Sequence, residues 1–253
     1  MSYAITRKVS PLICNCELTY IARQPIDFEK IAQQHQAYEE CLKELGLRVV
    51  SLPAELGLAD CVFVEDTAVV VDEVAIIPHM GAATRRTEVN LTAETLSNFR
   101  HLKFINGEGT LEGGDVMRIG RTFYVGVSTR TNRDGIAQLQ KILAPYDYQV
   151  VPVEVAGCLH LKTACTYLNH NTILANPSWV DMSTFRDVDV IETFPTEPWS
   201  ANSLSVGDSV VLPASAPRLA ELLSQRGLRV LTLDISELEK AEAGLTCMSI
   251  IFS

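Results

Sequence analysis

Glu112-Gly113-Gly114-Asp115-Val116-Met117-Arg118-Ile119, a Gly120-Arg121 turn, then Thr122-Phe123-Tyr124-Val125 is the stretch on which the fold is decided. It reads as an acidic, glycine-bearing entry into an apolar strand, a tight turn, and a second strand. The same unit recurs outward in both directions. Phe63 to Val71 turns at Asp72-Glu73 into Val74-Ala75-Ile76-Ile77. His160 to Tyr167 turns around Asn169-His170-Asn171 into Thr172-Ile173-Leu174-Ala175, and Ser203 to Val206 turns at Gly207-Asp208 into Ser209 to Pro213. Amphipathic segments follow the hairpins, most plainly Asn132 to Leu143 and Pro217 to Arg226, the latter stopped by Gly227. A further unit is split between the termini. Thr246 to Phe252 supplies one strand and Leu12 to Ile21 another, followed by a helix through Ile31 to Leu45 that stops at Gly46.

The hairpin starts fall at Glu65, Glu112, His160, Ser203 and Cys247, 47, 48, 43 and 44 residues apart. Four or five such units sharing their termini predict a closed ring, an arrangement that protects sheet edges. In a ring of similar units, equivalent positions face one axis. A carboxylate pair, an imidazole and a thiol therefore converge from four separate units.

Each of these residues also has an ordinary structural reading. Cys247, in Ala243-Gly244-Leu245-Thr246-Cys247-Met248-Ser249, is by itself a small buried hydrophobe. His160, in Gly157-Cys158-Leu159-His160-Leu161-Lys162, is by itself a core histidine. Brought together they form a nucleophile and its proton-transfer partner, with Glu112 able to fix the imidazole tautomer. Asp60, Glu65 and Asp66 interrupt an apolar stretch. They are either a solvated strand end or a clasp for a guanidinium. Arg85 and Arg130 each follow a hairpin and together can hold the α-carboxylate of an amino acid.

Composition narrows the function. The 253 residues are enough for one large domain or two; no linker divides them, and residues 1–253 are taken as a single catalytic domain. Hydrophobic residues make up 47% and charged residues 21%, as in soluble globular proteins, and no apolar run has the length of a membrane span. A net charge of -10 argues against nucleic acid and suits a small cationic substrate. Seven scattered cysteines without an export signal read as reduced thiols of a cytoplasmic protein. Cys14-x-Cys16 and the five histidines lack zinc spacing, and Gly107-x-Gly109 and Gly113-Gly114 match no nucleotide loop, so neither metal nor cofactor is expected.

Beyond these readings, the chain resembles the dimethylarginine dimethylaminohydrolases of the guanidine-modifying superfamily, nearly end to end. The likeness is carried by Cys16-Glu17-Leu18-Thr19, Val62-Phe63-Val64-Glu65-Asp66-Thr67-Ala68, Gly81-Ala82-Ala83-Thr84-Arg85-Arg86, Gly109-Thr110-Leu111-Glu112-Gly113-Gly114-Asp115, Gly157 to Lys162, Leu174-Ala175-Asn176-Pro177 and Thr246-Cys247-Met248-Ser249. The resemblance implies an α/β fold, a five-bladed propeller of ββαβ units with pseudo-fivefold symmetry (the pentein fold). It implies Cys247 as nucleophile, His160 as proton donor and Glu112 as the third member. It carries over Leu18, Asp60, Glu65, Asp66, Arg85 and Arg130 as substrate-site positions, with Leu18 on a flap. The implied reaction hydrolyses methylated arginine to citrulline and a methylamine through a Cys thiouronium, in a monomer or homodimer. Arginine deiminases resemble this scheme but carry an Asp where Lys162 stands, which favours a methylated substrate here. The rival readings are a deiminase-like or citrulline-hydrolysing enzyme of the same superfamily, and a non-catalytic propeller acting as a binding module.

Overall fold

The computed structural model describes residues 1–169 and 171–253; His170, within the turn expected at Asn169 to Asn171, lies outside the described residues. The chain opens with β1 (Tyr3–Arg7), α1 (Phe28–Glu44) and β2 (Arg48–Leu52). It continues through β3 (Val69–Val70), β4 (Val74–Ile77), α2 (Val89–Leu96) and β5 (His101–Phe104). Next come β6 (Val116–Ile119), β7 (Thr122–Val127), α3 (Arg133–Leu143) and β8 (Gln149–Glu154), then α4 (Leu161–Ala164), β9 (Cys165–Asn169), β10 (Thr172–Ala175) and β11 (Asp189–Glu192). The last stretch is β12 (Leu204–Val206), β13 (Ser209–Pro213), α5 (Pro217–Gln225), β14 (Arg229–Leu233), α6 (Ser236–Glu239) and β15 (Ile250–Phe252).

These strands form five three-stranded sheets of one design. The first strand pairs antiparallel with the second, and the second pairs parallel with the third, as in β6-β7-β8 and β12-β13-β14. The terminal sheet is β15-β1-β2, so the two chain ends close the ring by pairing Tyr3 to Phe252 and Ile5 to Ile250. Neighbouring sheets touch through β3 and β15, β6 and β9, and β9 and β12. This is the five-bladed α/β propeller expected.

Burial explains the strand sequences. The middle strands β4 and β13 are buried throughout, and their near-continuous apolar runs are what a strand covered on both faces requires. The third strands β5 and β14 are largely exposed or half-buried. Helices cover the units where their caps and apolar faces permit. Asp27 caps α1 by accepting from the Lys30 amide, and Ile31, Tyr38 and Leu42 turn one face into the core. Asn132 caps α3 in the same way, through the Gly135 amide at 2.8 Å.

Three expectations need correction. The N-terminal strand is β1, not Leu12 to Ile21; that segment holds a 3-10 turn at Ile13–Asn15 and loop. No α-helix follows the third hairpin, where only a 3-10 turn at Met182–Thr184 precedes β11. The residues at the hairpin starts do not open strands. Val64–Thr67, Gly113–Asp115 and Thr246–Met248 are 3-10 turns, and His160 immediately precedes α4. Such turns let side chains leave the strand plane towards the axis.

Candidate active site

Four of the expected residues meet at one end of the axis. His160 Nε2 donates to Glu112 Oε2 at 2.9 Å, and its Nδ1 stands 3.9 Å from Asp66 Oδ1. Arg85 Nη1 donates to Asp66 Oδ2 at 2.7 Å and lies 3.9 Å from Glu112. All four side chains are buried. Gly114 makes the cluster possible: a Cβ there would fall 2.6 Å from His160 Nδ1 and 2.7 Å from Asp66 Oδ1. Its amide instead donates to Asp66 Oδ1 at 3.0 Å.

The electrostatics follow from this packing. Burial alone would lower the imidazole pKa of His160, but Asp66, Asp115 and the bond to Glu112 raise it to about 9. His160 is therefore a cation at neutral pH. Burial pushes the carboxyls of Asp66 and Glu112 up, yet His160 and Arg85 bring both below the usual range. Ligating atoms of Asp66, Glu112 and His160 lie within 4.8 Å of one another, close enough for a metal ion, but the Arg85 guanidinium already supplies the cation there.

Cys247 lies in the turn before β15, half-buried and within reach of the Asp66 and Glu65 charges. Burial and the charges of Glu65 and Asp66 push its thiol up to about 12, while the Gly244 amide, 3.4 Å from Sγ, pulls the other way. A cation arriving beside the two carboxylates would offset their charge and bring that pKa down.

The other positions divide. Arg130 is buried, with Nη1 lacking any hydrogen-bond partner and 3.6 Å from Glu112 Oε1, so it keeps donor capacity for a ligand. Arg85 is less free, because Glu88 and the Phe63 carbonyl accept its remaining donors. Asp60 accepts the Glu17 amide on both oxygens, at 3.1 and 3.2 Å, and so anchors the segment carrying half-buried Leu18. Glu65 turns away from Asp66. Its Oε1 pairs with Lys162 Nζ at 2.5 Å and its Oε2 accepts from Thr246 Oγ1 at 2.7 Å. Below this pair lies an axial cavity of about 370 Å³ lined by the first strands of all five sheets.

Residues missed in the sequence include Asp115, buried and accepting from the Leu161 amide and Ser128 Oγ, which seats α4 and thereby His160. Its place in Gly113-Gly114-Asp115 was the available signal. Asn202 and Glu242 carried none. Asn202 brackets the Cys247 turn, and Glu242 accepts the Thr19 and Tyr20 amides beside Leu18.

A five-sheet ring with thiol, imidazole and carboxylates gathered at one end of its axis defines a guanidine-modifying fold. The family model described as arginine deiminase matches residues 57–198, more than half the chain. An N(G),N(G)-dimethylarginine dimethylaminohydrolase of Pseudomonas aeruginosa is 37% identical over 228 residues, covering 89% of this chain and 90% of that one. Its counterpart from Streptomyces coelicolor is 35% identical over 250 residues, covering 98% and 95%. A solved structure of the Pseudomonas aeruginosa protein, a cysteine-to-serine mutant complexed with citrulline, superposes with a TM-score of 0.95 at 34% identity over 99% of this chain and 98% of that one. The chain belongs to the dimethylarginine dimethylaminohydrolase family.

Proposed function

We propose that the protein hydrolyses Nω-methylated arginine to citrulline and methylamine or dimethylamine. The observation that carries this reading is His160 held 2.9 Å from Glu112 and 3.9 Å from Asp66, with Cys247 near enough to Asp66 to feel the same carboxylate. Citrulline in the active enzyme's cysteine-to-serine relative supports the same substrate class.

The chemistry follows from the groups. Asp66 and Glu112 draw in the guanidinium, and its charge stabilises the Cys247 thiolate. Sulfur attacks the guanidinium carbon to give a tetrahedral adduct. His160 gives its proton to the methylated nitrogen, the C–N bond breaks and the amine leaves. The thiouronium that remains is attacked by water, whose proton returns to His160, and the C–S bond breaks to release citrulline. Arg130 takes the α-carboxylate, and Asp60 with Leu18 closes the other end.

Lys162 supports methylated over free arginine. A carboxylate at that position would need a guanidinium N–H that methylation removes, whereas the ammonium here is satisfied by Glu65. The same reading takes residues 1–253 as one catalytic domain, acting in the cytoplasm as monomer or homodimer on a small amino acid. No helix among the described residues is long and apolar enough to cross a membrane.

Incubation with asymmetric dimethylarginine, with products identified by mass spectrometry, tests the reading. Citrulline and dimethylamine are expected from the parent and almost none from Cys247→Ser. Preferential turnover of unmodified arginine would overturn the substrate assignment.

A further inference from the structure

Four of the five units place a chemically active side chain at the axis: Asp66, Glu112, His160 and Cys247. The remaining unit, which begins at Ser203, has no titratable group at the equivalent position, and Ser203 itself is taken up by a hydroxyl bond to Thr166 at 2.8 Å. The side chain that this unit sends to the site is its neighbour, Asn202, which is buried.

Asn202 holds the Cys247 turn at three points. Its Oδ1 accepts the Thr246 amide at 3.0 Å, its Nδ2 donates to Thr246 Oγ1 at 3.2 Å, and Nδ2 lies 3.9 Å from Cys247 Sγ. Gly244 lies flat against it, since a Cβ there would fall 2.2 Å from Asn202 Cγ. The amide orientation is dictated by its partners. Thr246 Oγ1 must donate to the Glu65 carboxylate, so towards Asn202 it can only accept. The Thr246 amide can only donate, so it must meet the oxygen. A directed chain therefore runs from Asn202 Nδ2 through Thr246 Oγ1 to the Glu65 carboxylate, to which Lys162 donates from the other side.

We infer that Asn202 is a positioning residue for the nucleophile: it locks the 244–247 turn and points an N–H at the Cys247 sulfur, favouring the thiolate. The need for such a donor is evident, because Glu65 and Asp66 both oppose a negative sulfur. The Gly244 amide supplies one N–H and Asn202 the second. Asn202 also lines a cavity of about 420 Å³ together with Trp199, Glu242 and Gly244.

The inference rests on Cys247 being the nucleophile, and its test separates the two ideas. Iodoacetamide alkylation of Cys247, located by peptide mass spectrometry, is followed against pH in the parent, in Asn202→Asp and in Asn202→Ser, alongside kcat, KM and thermal melting. Asp matches Asn in shape but cannot donate to Thr246 and adds a negative charge near sulfur. At each pH the alkylation rate of Cys247 is expected to fall at least about tenfold in Asn202→Asp. Its kcat should fall about 100-fold, with KM changed less than about threefold. Asn202→Ser, too short to reach the sulfur and adding no charge, should show a smaller fall in alkylation rate and about a tenfold loss of kcat; it decides the matter if the Asp variant does not fold. Alkylation profiles that superimpose on the parent's in a folded variant would overturn the inference while leaving the nucleophile intact. A Cys247→Ser variant that turns over asymmetric dimethylarginine at the parent's rate would overturn both.

Discussion

Glu65 and Asp66 are neighbours in the chain and both buried, yet they take different partners. Asp66 turns to Arg85, His160 and the Gly114 amide, on the side where a guanidinium fits. Glu65 turns to Lys162 and Thr246, at the wall of the axial cavity. A 3-10 turn at Val64–Thr67 makes this divergence possible, sending consecutive side chains apart within one short segment. The difference teaches that adjacent carboxylates of one motif are set apart by their nearest cations. For Asp66 that cation is shared with a reaction centre. For Glu65 it is a private partner.

Substitutions on the two sides sharpen this contrast. His160→Gln removes the proton donor and should lower kcat roughly 10³- to 10⁴-fold, read by citrulline release. Asp66→Asn keeps the shape and removes the charge facing the guanidinium. Steady-state kinetics should show kcat/KM down about 10²- to 10³-fold. Arg130→Lys loses the planar fork while keeping its charge, and should raise KM about 10- to 100-fold with little change in kcat. Glu65→Gln should behave differently. Activity should fall less than about tenfold, whereas urea denaturation should reveal a loss of about 3 kcal/mol from the orphaned Lys162, most of it recovered by adding Lys162→Met. Loss of kcat in Glu65→Gln as large as in Asp66→Asn would break the comparison.

The pH dependence of stability bears on the same side. His160 is raised in the folded state to about 9, so its contribution is fully present below the unfolded value near 6.5. That contribution is lost as pH rises through about 9. The melting temperature should therefore decline over that window in the parent, and this part of the decline should be absent from His160→Gln.

Much of this architecture was legible because its signals are periodic. Five hairpins at nearly equal spacing amount to a ring with an axis; Glu112 and His160 meet at two of the unit starts, and in the first unit it is Asp66, beside the expected Glu65, that joins them. The error at the N-terminus has a physical cause. β1 carries Arg7, which looks like a solvated residue but is fully buried, paired with Glu55 at 3.0 Å and bonded to Glu88 O and Thr92. Leu12, in the segment expected as the strand, is instead exposed. The divergence of Glu65 from Asp66 was not legible either, since it depends on Lys162, distant in sequence, reaching across the axis. Asn202 was hidden for a simpler reason: in Ser200-Ala201-Asn202-Ser203 nothing titrates, and its role appears only through what it touches.

The central claim is that the thiol near the C-terminus attacks the guanidinium that His160 then helps to split. Acid quenching during turnover of asymmetric dimethylarginine, followed by intact-protein and peptide mass spectrometry, tests it most directly. The account predicts an adduct on the Cys247 peptide with the mass of the substrate less dimethylamine, absent from Cys247→Ser. Turnover with no adduct in Cys247→Ser but citrulline still formed, or an adduct on another residue, would contradict it.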